Sequence, residues 1–174
     1  MGRPKSINPV VVAGKKFGKT KSAEGSGKSP FKNAIAKCSL IKNAYMPGLS
    51  ALKGNSKHVK PADPKLVAGS VDIDDALKIM YPNESRWDYV VGYSDEAFFI
   101  EVHPAGTSNV SEMVNKVKWL KNWLASSAPD LNKLHKSKVY YWIPSGGVSI
   151  LSGSVQYKRI AANNLHIQKP LPLP

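Results

Sequence analysis

RWDYVVGYSDEAFFIEVH, residues 86–103, sets the tightest limit on what this chain can fold into. Two runs rich in Tyr, Val, Phe and Ile flank a short polar segment, SDE, and such a pair reads as a β-hairpin with the polar segment as its turn. On the second strand, residues two apart share a face, so Phe99, Glu101 and His103 form one row while Val102 points the other way. Asp88, at the outer end of the first strand, comes close to level with that row. Three polar groups therefore converge at one end of a ribbon that is otherwise apolar. Burying an unpaired charge costs on the order of several kcal/mol, so the row calls for a compensating partner.

The flanks of the hairpin read as helices. GSVDIDDALKIMYP, residues 69–82, predicts a helix entered after Gly69 and Ser70, with Asp72 as cap and Asp75 three residues on. Ile73, Ala76, Leu77 and Met80 then share a face, and Pro82 helps end the helix. After Pro104 and Gly106, Asn109 and Glu112 have capping-box spacing, and Val110, Met113, Val114, Val117, Leu120 and Leu124 repeat at helical intervals to about residue 125. The opposite side of that helix carries Glu112, Asn115, Lys116, Lys118, Lys121 and Asn122, a solvated face or a surface for a phosphate backbone. Trp119 and Trp123, four apart, read first as a packed flank and second as a platform for bases. SKVYYWIP predicts a further strand, SGG a turn, VSIL a short return strand, SVQYKRIAANN a last helix capped by Ser154, and the closing LPLP extended coil. A helix between two strands makes them parallel through a right-handed crossover, so the expected fold is α/β: a small mixed β-sheet flanked by helices.

Charge divides the 174 residues unevenly. The formal net charge is +13, yet residues 1–62 hold 13 Lys or Arg against the single acid Glu24, while residues 63–174 hold 12 basic and 11 acidic residues. The first thirty residues, rich in Gly, Ser, Pro and Lys without a sustained apolar period, read as a flexible basic arm, residues 31–62 as an irregular connecting segment packing on the core, and residues 63–174 as the folded domain. Lys15, Lys16, Lys19, Lys21 and Lys28 in the arm either aid solubility or bind nucleic-acid phosphates through counterion release. Two apparent phosphate loops there fail on spacing: Gly14 to Gly18 encloses three residues instead of four, and Ser22 stands where GSGKS would need its first glycine. With Cys38 the lone cysteine, no intrachain disulfide can form and no zinc spacing is present. Without a membrane-length apolar run or a signal-peptide pattern, the expected setting is cytoplasmic.

Asp88, twelve intervening residues, then Glu101-Val102-His103 on an apolar strand followed by a long helix resembles the PD-(D/E)xK nuclease superfamily, whose signature is an Asp, a variable gap and Glu-x-Lys. The similarity spans about residues 71–144. It implies a restriction-endonuclease-like core and a catalytic centre of Asp88, Glu101 and His103. It further implies Mg2+ or Mn2+ held by Asp88, Glu101 and the Val102 carbonyl, and phosphodiester hydrolysis in DNA or RNA. Oxygen donors of this kind suit either ion, and a cation would relieve the repulsion between two carboxylates. The sequence departs from the pattern at the lysine, which is His103 here; the imidazole can act as base or ligand but carries no permanent charge. Lys116 or Lys118 on the next helix could replace that charge. The strand that commonly precedes the aspartate strand is not evident between Pro82 and Trp87, and the acidic residue that often assists from the first helix would be Asp74, Asp75 or Glu84. The residues also allow simpler roles: Glu101 paired with Arg86 or a helix lysine, Asp88 as a turn residue, His103 as a hydrogen-bonded strand residue. The alternatives to a nuclease are a catalytically inactive scaffold of the same fold that binds nucleic acid or an acidic protein, and an adaptor with no nucleic-acid role.

Overall fold

The computed structural model describes residues 29–174. The arm lysines Lys15, Lys16, Lys19, Lys21 and Lys28 fall outside the described residues. The described chain is mixed α/β, built on a six-stranded sheet flanked by helices.

The hairpin forms at its centre. β4 (Tyr89–Tyr93) and β5 (Glu96–Ala105) pair antiparallel with Tyr93 opposite Glu96, leaving Ser94 and Asp95 as the turn. Ser94 takes the left-handed conformation (φ 53°) that a two-residue hairpin turn demands. β3 (Val67–Asp72) adds antiparallel to β4 and a short β1 (Tyr45–Met46) pairs antiparallel with β3, while β6 (Tyr140–Val148) and β7 (Leu165–Ile167) add parallel on the other side. The sheet order is β1-β3-β4-β5-β6-β7. A separate parallel pair joins β2 (Val59–Pro61) to β8 (Leu171–Leu173).

Each face of the sheet has its own core. On one, Val71, Val90, Phe99 and Trp142 pack against Phe31 and Ile35 of α1 (Pro30–Lys37) and Val117, Leu120 and Leu124 of α3 (Val110–Ser127). Leu131 of α4 (Pro129–Leu134) and Ile160 of α5 (Val155–Ala162) complete this layer. Phe31 lies on Gly92, where a β-carbon would overlap its ring, so the glycine lets α1 sit directly on the strand. On the other face, Val91, Phe98, Ile100 and Ile143 pack against Ala51, Leu52, Val59, Leu171 and Leu173.

Four elements differ from expectation. Residues 67–72 are strand, so the helix starts only after Asp72. That residue caps α2 (Ile73–Leu77) as anticipated, accepting from Asp75 N–H at 2.9 Å, but the helix is five residues long and Met80 is exposed. The missed strand contains Gly69, read from sequence as the entry to the helix; it has a φ of 137° at a register shift, and the ring of Tyr45 fills the space beside it. SGG is no turn, and VSIL no return strand: β6 runs through Ser145, Gly146 and Gly147 to Val148, which pairs with Ala105. LPLP is not coil either, because Leu171 and Leu173 alternate into the second core and β2 supplies a ladder. Finally, Asn109 does not form a capping box with Glu112. Its side chain accepts from Gly106 N–H instead, and Glu112 reaches the sheet.

Candidate active site

The strand row predicted from sequence faces α3, and the helix answers it residue by residue. Glu101 and His103 are two apart on β5, about 6.6 Å along a strand; Lys116 and Glu112 are four apart on α3, about 6 Å along a helix. With α3 running back along the sheet, this near-match pairs Glu101 with Lys116 and His103 with Glu112.

Glu101 is 1% exposed, and both of its oxygens are engaged: Lys116 Nζ donates to Oε1 and the Asp88 main-chain N–H donates to Oε2 at 2.9 Å. Asp88 returns the contact, its Oδ2 accepting from Val102 N–H at 2.9 Å. The carboxylate just before β4 and the one on β5 are thus each held by a main-chain N–H of the facing segment. Asp88 Oδ1 faces Lys116 Nζ at 3.8 Å, beyond hydrogen-bond reach but within strong Coulombic range.

Electrostatically, the cluster sets two carboxylates against one ammonium. Burial, and then the nearby Asp88 carboxylate, push Glu101 up to about 8 despite Lys116 and the Asp88 N–H. Burial also raises Asp88, opposed by Lys116 and the Val102 N–H. Lys116 loses hydration, yet the two carboxylates outweigh that and raise it. One ammonium thus serves two carboxylates, and burial raises both above their ordinary values.

His103 is not drawn into the carboxylate cluster. Its Nε2 lies 3.2 Å from Glu112 Oε1 and its Nδ1 3.2 Å from the Pro104 carbonyl. Lys118 is exposed on the far side of α3. Of the helix acids, Asp74 binds Arg86 Nε at 2.8 Å, Asp75 binds Lys78 at 2.7 Å, and Glu84 is exposed. Asp74 still adds to the field on Asp88 and Lys116, because the Asp88 carbonyl accepts from the N–H groups of Ile73 and Asp74. Of the two partners offered for Glu101 from sequence, the helix lysine takes it, while Arg86 binds Asp74 and donates to the Tyr81 carbonyl, and so ties the loop after α2 to the site's acidic flank.

Among the described residues, no three or more His, Cys, Asp or Glu side chains are grouped to hold a metal. Of the four carboxylate oxygens of Asp88 and Glu101, three accept hydrogen bonds from Lys116 and the main-chain N–H groups of Asp88 and Val102, and Asp88 Oδ1 faces Lys116 at 3.8 Å. No described helix is long and apolar enough to cross a membrane. No family model matches the chain, and neither curated proteins nor solved structures provide a match.

Proposed function

We propose that this protein is a nuclease-like, nucleic-acid-binding protein whose Asp88, Glu101 and Lys116 form a divalent-metal-dependent phosphodiesterase centre. The observation that carries the reading is the pair of carboxylates, Asp88 just before β4 and Glu101 on β5, each accepting a main-chain N–H from the facing segment and sharing one ammonium. The antiparallel order β3-β4-β5, followed by α3 and parallel β6, supports it, since β3 supplies a strand before the aspartate strand.

Asp88 and Glu101 would hold Mg2+ or Mn2+, with the Val102 carbonyl as a further donor; such an ion polarises a phosphate and lowers the pKa of bound water. Lys116 supplies from the helix the charge that His103 lacks, orienting a non-bridging phosphate oxygen and stabilising negative charge as it builds. His103, one step along the row at the mouth of the site, passes a proton between site and solvent while Glu112 holds its ring. The lysines of the N-terminal third supply salt-sensitive attraction to the polymer.

Incubation of plasmid and oligonucleotide with Mg2+ or Mn2+ tests this. Cleavage should require the ion and fall by at least about a hundredfold in Glu101→Gln and Asp88→Asn. A second reading, an inactive scaffold of the same fold, is favoured by one observation: Lys116 already occupies the space between the carboxylates. It predicts nucleic-acid retention that fades with salt, no cleavage under any ion, and no change in either variant.

A further inference from the structure

Lys116 lies on a stripe of α3 that continues, at the next turn, into Trp119 and then Trp123. The two indoles are parallel, with planes within 5° and centroids 6.1 Å apart, and Tyr81 stands edge-on to Trp119 at 5.9 Å. Together they wall an open cavity of about 220 Å³ rimmed by Glu84, Asn122 and Ser126. Trp123 is the buried member and Trp119 the partly exposed one, so the free aromatic surface belongs to Trp119.

Resting on the reading of the carboxylate centre given above, we infer that this cleft receives an unpaired nucleobase from a nucleic acid whose phosphodiester lies at Lys116. Trp119 follows Lys116 by three residues, about 4.5 Å along the helix, within a nucleotide's reach of the ammonium. Arg86 bridges the two places, binding Asp74 beside the carboxylates and the Tyr81 carbonyl beside the cleft. The rim carboxylate of Glu84 repels a phosphate but accepts from a base's exocyclic amine, and Asn122 can both donate and accept at a base edge. Bases inside a duplex are stacked and present only edges, so a flat platform selects single strands or an unpaired nucleotide. The substrate class is therefore nucleic acid with at least one unpaired base beside the reacting phosphate.

The test is binding of a labelled oligonucleotide, single-stranded or as its duplex, in EDTA so that cleavage plays no part. The single strand should bind more tightly and quench tryptophan emission. Trp119→Leu should weaken single-strand binding about tenfold and remove the quench, leaving duplex binding unchanged, whereas Trp119→Phe should keep most of the affinity. If Trp119→Leu lowers the thermal midpoint sharply, Tyr81→Leu carries the same comparison. Equal loss on both substrates, no loss on either, or a wild-type preference for duplex overturns the inference. Selective stacking without ion-dependent cleavage would leave the inference standing and remove the phosphodiesterase, while cleavage indifferent to Trp119 would do the reverse.

Discussion

Two strand-to-helix pairs sit side by side between β5 and α3, alike in spacing and unlike in consequence. Glu101 with Lys116 is sealed, the carboxylate at 1% and the lysine side chain at 14% exposure, and Asp88 intrudes as a second anion. His103 with Glu112 stands near solvent, at 19% and 50% exposure, with no second carboxylate in contact. One interval along the sheet thus separates a charge cluster whose protonation depends on its setting from a pair that water can screen. The difference shows that the site is made by depth and by the third member, Asp88, more than by the identity of the row.

The sharpest way to break the comparison is Lys116→Met. It leaves the buried Glu101 and the partly buried Asp88 without a cation, and removing one partner from a buried pair costs about 3 to 5 kcal/mol. Urea unfolding in EDTA at pH 8 should show a loss of about 3 kcal/mol, shrinking at pH 5, where the acids can take up protons. A loss under about 1 kcal/mol would mean that the ammonium is not what holds the cluster.

Next in size is the pH dependence. Glu101 rises on folding from 4.5 to about 8, so between those values the folded state keeps a proton that the unfolded chain gives up. Stability from this group is complete below about pH 4.5 and is lost as pH rises towards 8; Asp88 acts in the same direction. Thermal midpoints in EDTA should therefore fall across that window. Glu101→Gln should flatten the slope, and Mg2+ should flatten it in the wild type by favouring the ionised pair. A slope unchanged by either would place the titration elsewhere.

Much of this arrangement was legible from residues. Alternation in FFIEVH fixed the row, and the short SDE segment fixed the register that brings Asp88 to Glu101. The helical period over residues 110–124 fixed α3, and its Lys116 was among the candidates for the missing charge. Chemistry at a distance was not legible. Nothing local reveals that Glu112 would leave a capping box for His103, since that choice depends on how far α3 lies from the sheet. β3 was hidden because Gly69 breaks the alternation, and only Tyr45, from another strand, fills the gap. LPLP becomes a strand for a similar reason: prolines bar it from a central ladder but not from an edge pair with β2 over a waiting apolar face.

The smallest effect belongs to the exposed pair. A double-mutant cycle of His103→Gln and Glu112→Gln isolates its coupling, which a solvent-screened ion pair limits to under about 1 kcal/mol and which salt should erode. Kinetics separates tether from proton carrier. If His103 passes a proton, His103→Gln lowers kcat/KM more than Glu112→Gln does, because the second variant removes only the tether on the ring. If both variants scale the rate equally at every pH, the pair only positions β5 against α3, and the proton leaves by solvent at Asp88, the more open of the two carboxylates at 22% exposure.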